Sequence, residues 1–140
     1  MRAIVIYESL TGNTRTAGQL IAAQLSAAGI GCVACPVTAV DYQALSEADL
    51  VIVGSWVDGV FVVGQRPGRS HRLRSLPVLK GKRCVVYCTY ALNPGRTLEK
   101  MTAILQGRGA EVIGGMAIRR NDLQAGAREL VERLAEAVDV

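Results

Sequence analysis

Residues 3–14 read AIVIYESLTGNT. The first five are apolar and rich in β-branched side chains. A short run of this kind with no polar alternation predicts a strand buried on both faces, as in a parallel sheet. The chain then turns polar at once, and Ser9, Leu10, Thr11, Gly12, Asn13 and Thr14 follow without a lysine. Two readings fit three hydroxyls around one glycine. The stretch is a polar turn that caps a helix, or it is a seat for a phosphate. In the second reading the helix N-terminus supplies unpaired amides and a partial positive charge. Gly12 then lets the backbone approach closely, and Ser9, Thr11 and Thr14 add neutral donors.

Working outward, Ala17, Leu20, Ile21, Leu25 and Ala28 recur at helical spacing over Thr14–Ala28, and Gly29 is a natural stop. Cys32–Val37, Leu50–Gly54, Arg83–Cys88 and Glu111–Ile118 read as further strands. Asp41–Ala48 reads as a short helix with Asp41 as its cap, and Pro94–Leu105 and Asp122–Val138 as longer ones. Strands alternate with helices from end to end, which implies right-handed crossovers and a parallel sheet covered on both faces. Only Val60–Pro77 breaks the pattern. Gly64, Pro67, Gly68 and Pro77 interrupt it, and it predicts a long loop with at most a short helix. At 140 residues, with half of them apolar, the chain suits one domain over 1–140 with a real core. No apolar run approaches the roughly 18 residues of a membrane span. MRAIVIY lacks the features of a secretory signal, so a cytoplasmic protein is expected.

In an open parallel sheet, ligands bind beyond the carboxyl ends of the strands, and ESLTGNT occupies such an end. The GxxxxGK[ST] pattern of triphosphate loops does not fit, and GxGxxG is missing, so a terminal phosphate monoester is the better match. Here the sequence resembles the flavodoxin family, whose phosphate loop has the pattern [ST]-x-T-G-x-T. Ser9-Leu10-Thr11-Gly12-Asn13-Thr14 matches it at every fixed place. The resemblance extends over essentially the whole chain, and the uninterrupted fifth strand resembles the short-chain subgroup. It implies an α/β fold: a doubly wound five-stranded parallel sheet in the order 2-1-3-4-5 with helices on both faces.

The resemblance implies FMN as cofactor, with two further loops holding the flavin ring. After strand three come Ser55, Trp56, Val57, Asp58 and Gly59. After strand four come Thr89, Tyr90, Ala91, Leu92, Asn93 and Pro94. Flavodoxins sandwich the ring between aromatic residues of these loops, which makes Trp56, the only Trp, and Tyr90 stacking candidates, with Thr89 and Asn93 beside them. Matched without gaps, however, the family's stacking position falls on Asp58 and its redox-sensing glycine on Gly59. Which of Trp56 and Asp58 flanks the ring stays open.

Charge is a second departure. Flavodoxins are typically acidic, whereas this chain has a formal net charge of +4. No Asp or Glu lies between Gly59 and Leu98, a stretch that holds Arg66, Arg69, Arg72, Arg74, Lys80, Lys82, Arg83 and Arg96. Cations beside the ring would favour the anionic reduced flavin and raise the potential of the second one-electron step. The expected partner is an acidic redox protein, ferredoxin-like or a reductase, steered to the basic 66–83 segment. The scarcity of interleaved aromatic residues argues against nucleic acid. An electron carrier is thus the first reading. The alternatives are an FMN-dependent reductase or oxidase with a quinone or porphyrinogen substrate, and a binding module on the same fold without flavin.

The four cysteines, Cys32, Cys35, Cys84 and Cys88, suggest zinc by spacing. In the 2-1-3-4-5 order, however, the two pairs lie three strands apart, roughly 14 Å. Residues three apart along one strand are also too distant for a disulfide, so these read as small core side chains. His71 is the only histidine and belongs to the basic segment. Other chemistries of this fold class lack their residues: receiver domains need an acidic pair after strand one, where only Glu8 stands, and low-molecular-weight phosphatases need a Cys-x5-Arg loop there.

Overall fold

The computed structural model describes residues 1–59 and 64–138. Part of the predicted 60–77 loop, residues 60–63, lies outside the described residues. The elements run β1 (Arg2–Tyr7), α1 (Asn13–Ala27), β2 (Gly31–Pro36), α2 (Tyr42–Glu47), β3 (Leu50–Asp58), β4 (Arg66–Pro67), α3 (Ser70–Arg74), β5 (Arg83–Tyr90), α4 (Thr97–Gly107), β6 (Glu111–Arg119) and α5 (Leu123–Ala137). The sheet order is β2-β1-β3-β5-β6, with all four pairings parallel. Counted as the five parallel strands, this is the expected 2-1-3-4-5.

The apolar run AIVIY is explained by its two faces. Successive strand residues point to opposite sides. Ala3, Val5 and Tyr7 pack with Ile21 and Leu25 of α1 and Leu130 and Leu134 of α5. Ile4 and Ile6 join Val51 and Val53 against Leu73, Leu76, Met101 and Leu105 on the other side. Every residue from Ala3 to Tyr7 is therefore buried, and nothing polar can alternate. The predicted cap of α2 is also formed, since Asp41 Oδ1 accepts from the Ala44 amide at 3.0 Å.

Several boundaries differ. The predicted strand over Arg83–Cys88 continues to Tyr90, so Thr89 and Tyr90 are strand and not loop. The predicted strand over Leu50–Gly54 continues to Asp58, so residues 55–58 are strand and not loop. Ser55 and Trp56 keep their partners Cys88 and Thr89 on β5. Val57 and Asp58 then pair antiparallel with Pro67 and Arg66. The extension depends on β4, and a two-residue strand containing proline has no periodicity to read. The predicted short helix in the basic segment is α3.

Tyr87 is fully buried at the centre of β5. Its ring occupies space left by two glycines. A Cβ on Gly54 would lie 2.0 Å from Tyr87 Cζ, and one on Gly18 would lie 2.7 Å from Tyr87 Oη. The hydroxyl donates to the Thr14 carbonyl at 2.9 Å, which ties β5 to the first turn of α1.

The cysteines sit in the sheet as free thiols. Cys84 and Cys88 belong to the core layer beneath α3 and α4. Burial pushes both thiols up to about 12, and it pushes partly buried Cys32 up to about 11.

Two outcomes follow from this packing. Gly54→Ala should destabilise the fold by about 2–3 kcal/mol through overpacking, and Tyr87→Phe by about 1 kcal/mol through the lost hydrogen bond, both read from urea unfolding midpoints. The thiols give a pH dependence. An unfolded thiol ionises near its ordinary value of 9.0 while the native one stays protonated. The native state then binds more protons, so stability is full below about pH 9 and falls as pH rises towards 12. The slope is up to about 1.4 kcal/mol per pH unit for each buried thiol, and Cys84→Ala/Cys88→Ala should flatten it in urea titrations at pH 8 and 10.

Candidate functional site

The parallel strands bring their carboxyl ends to one edge of the sheet, and a cleft opens there beside four of them. A cavity of about 160 Å³ is lined by Leu10, Thr11, Asn13 and Thr14 after β1, Trp56 and Val57 on β3, Thr89, Tyr90 and Ala91 at the end of β5, and Arg120 after β6. An adjoining cavity of about 590 Å³ shares Val57, Ala91 and Arg120 and adds Gly59, Leu92, Asn93 and Asn121. The three loops singled out in the sequence thus converge on one cleft. Its inner part is bounded by the hydroxyl-rich loop and its outer part by the 89–93 loop.

The loop's hydroxyls differ in their tasks. Ser9 Oγ accepts from the amides of Gly12, at 3.2 Å, and Arg15, at 3.3 Å. Ser9 therefore shapes the turn and leaves the Asn13 and Thr14 amides of the first helical turn to other acceptors. No side chain caps α1 at Gly12, which takes φ +101, and nothing lies within 4 Å of where its Cβ would stand. Thr14 is buried and its hydroxyl pairs with Thr89 Oγ1 at 2.7 Å. Thr11 is exposed at the cleft and, among the described residues, holds only a 3.5 Å contact from Asn13 Nδ2.

On the opposite wall, Trp56 packs over Gly68: a Cβ there would come within 2.0 Å of the indole. Its Nε1 is buried without a hydrogen-bond partner among the described residues. Tyr90 is half-buried and carries the Arg119 guanidinium 5.8 Å from its ring centre. Two predicted contact residues are engaged elsewhere. The Ser55 hydroxyl donates to the Gly68 carbonyl at 3.0 Å, and the Asp58 carboxylate pairs with Arg66 at 3.2 Å. Neither side chain lines the cleft. Gly59 does, with φ +108.

Three arginines of the basic segment meet carboxylates in the fold. Glu8, only 3% exposed at its side chain, accepts from Arg69 at 2.8 Å and from Arg72 at 3.0 Å. With Arg66 held by Asp58, three of these arginines are ion-paired. The stretch is acid-free in sequence, but Glu8 and Asp58 fold onto it from outside. The cation that lines both cavities is instead Arg120, which has no carboxylate partner among the described residues. Motif reading missed it because no pattern extends past the 89–93 loop. Its position directly after the last strand was the available signal.

A doubly wound sheet with a hydroxyl-rich β1–α1 turn and two aromatic side chains at the same edge defines a flavodoxin-like protein. A family model described as a flavodoxin domain matches residues 4–134, and the chain belongs to that family. Among solved structures it is similar to the two-electron reduced flavodoxin of Megasphaera elsdenii, at 24% identity and TM-score 0.76 over 96% of this chain and 98% of that one. It is also similar to a cysteine-to-serine mutant of flavodoxin from Pseudomonas aeruginosa, at 16% identity and TM-score 0.76 over the whole of both chains. A flavodoxin from the domain Archaea matches at 21% identity and TM-score 0.71, again over both whole chains. Comparison with curated sequences gives no match.

The Thr14–Thr89 pair joins two walls of the cleft. Thr89→Val should leave the Thr14 hydroxyl buried and unpaired and lower stability by about 1–2 kcal/mol. Thr89→Ser, which keeps the hydroxyl, should stay closer to wild type in the same urea titration.

Proposed function

We propose that this protein binds FMN in the cleft and carries electrons to and from a protein partner. The observation that carries the reading is the convergence of the Ser9–Thr14 turn, Trp56 and Tyr90 on one cleft. The donor set suits a phosphate monoester: free first-turn amides at Asn13 and Thr14, an open approach at Gly12, and the exposed Thr11 hydroxyl. The aromatic side chains of Trp56 and Tyr90 suit a flat ring system. The flavin, when bound, supplies the redox chemistry, and the protein positions it and tunes its electronics.

The chain's own residues then divide the work. Leu10 to Thr14 hold the phosphate end, with Ser9 fixing the turn. Trp56, Val57, Gly59, Tyr90 and Asn93 line the space for the ring. Arg120 places a positive charge on the same cleft and would favour an anionic reduced state. This is the role that the sequence suggested for the 66–74 arginines, three of which are neutralised in the fold. The mouth of the cleft carries Leu92, 74% exposed, beside Arg119 and Arg120. That combination fits an acidic redox partner, docked nearer the β6 end than the 66–83 segment. Among the described residues no helix is long and apolar enough to cross a membrane.

The purified protein should be yellow or take up added FMN, released on denaturation and identified by its spectrum. A colourless protein that ignores FMN would remove the reading. Thr11→Ala should weaken FMN by about 1 kcal/mol, roughly fivefold in Kd, with the unfolding midpoint unchanged because Thr11 is exposed. Arg120→Gln should lower the potential of the second one-electron step in a spectroelectrochemical titration, and the difference from wild type should shrink as salt is added.

A further inference from the structure

Glu8 poses a problem that the phosphate reading does not absorb. It stands at the root of the turn proposed to seat an anion, where a carboxylate is the wrong charge. Yet its side chain is almost wholly buried, and it is held by two arginines from a segment 61 and 64 residues further along the chain.

The route of that segment suggests what the carboxylate does. Arg69 takes φ 46 and ψ 49, and it is the only non-glycine among the described residues with positive φ. This conformation is unfavourable for an L-residue. Glycine would relieve it, but glycine could not reach Glu8. The preceding residue, Gly68, is stitched to the cleft wall. Its amide donates to the Trp56 carbonyl at 2.7 Å, its carbonyl accepts from Ser55 Oγ, and its missing side chain leaves room for the indole. Residues 68–72 thus hold Trp56 at one end and Glu8 at the other.

We propose that Glu8 is a positioning residue: through Arg69, Arg72 and Gly68 it fixes Trp56 against the ring end of the cleft. This rests on the FMN reading for its consequence in binding, but not for the coupling itself. The two ends of the cleft are joined outside the sheet. The root of the phosphate turn holds the segment on which the ring-side indole lies.

The alternative, a purely electrostatic role, predicts the opposite sign. Removing the carboxylate would then free two guanidinium groups near the turn and tighten anion binding. Trp56 is the sole tryptophan, so its emission and acrylamide quenching in the flavin-free protein report on the wall directly. Glu8→Gln keeps the shape and loses the charge, while Arg69→Gly removes one pair and relieves the left-handed backbone.

In both variants Trp56 emission should shift to the red and quenching should increase. Riboflavin, which lacks the phosphate, should bind about fivefold more weakly, within the range of coupling in one ion-pair network. Because Arg69→Gly relieves strain, its thermal midpoint should hold better than that of Glu8→Gln, which separates loss of position from loss of stability. Unchanged Trp56 emission and quenching in both variants would overturn the proposal. So would unchanged riboflavin affinity with tighter FMN and inorganic phosphate binding. If the wild-type protein takes up neither flavin, the FMN reading fails, and the Trp56 signal alone still decides the coupling.

Discussion

The hydrogen bond from the Tyr87 hydroxyl to the Thr14 carbonyl is the constraint on which the cleft depends. It reaches from the middle of β5 to the first turn of α1, and it exists only because Gly18 and Gly54 leave the ring its space. Two residues further along β5, on the same face of the strand, Thr89 makes a second bond to Thr14 through the two hydroxyls. The turn after β1 is therefore hung from β5 as well as from its own strand. A loop held from two strands keeps its amides aimed at one point without a ligand, so less ordering is left to be done when one binds.

This arrangement also determines what a turn without a lysine has left to offer an anion. Thr14 and Ser9 spend their side chains on the protein, one under Thr89 and one across the amides of Gly12 and Arg15. What remains for an anion is backbone dipole and the exposed Thr11 hydroxyl. Positive charge comes close in space but is withheld by pairing. Arg69 and Arg72 are engaged by Glu8, and Arg66 by Asp58. At the cleft itself, positive charge stands instead at the β6 end, where Arg119 lies over Tyr90 and Arg120 lines both cavities. Net charge alone does not locate a field; the acids that fold against a basic stretch do.

The layers and strand order were legible because burial on both faces leaves unbroken apolar runs, and five such runs separated by helical periodicity admit few topologies. The turn at Ser9–Thr14 was legible because its residue types serve one geometry. The end of β3 was not. Ser55 to Asp58 carry no strand pattern of their own, and their pairing is supplied by β5 and by Arg66–Pro67, the latter from beyond a long connection. The roles of Glu8 and Arg120 were invisible for a related reason. One is a single carboxylate whose partners lie more than 60 residues away, and the other is an arginine whose significance lies only in where the last strand ends. Local pattern reports what a residue's neighbours in sequence require, and these residues answer to neighbours in space.

The two ends of the cleft are consequently built by different means. The end at the Ser9–Thr14 turn is fixed by the sheet through buried hydrogen bonds whose loss would strand polar groups, so its geometry is tied to the stability of the core. The other end is walled by Trp56, whose indole rests on a segment tied down by partly exposed arginines and a glycine contact. Charged pairs of this kind respond to salt and to substitution more readily than a packed core does. Changes at the Trp56 end can therefore alter that wall of the cleft while the turn and the fold stay as they are. In this chain charge enters the cleft's surroundings at two places, in the Glu8 carboxylate buried between Arg69 and Arg72 and in Arg120, which lines the cleft after β6.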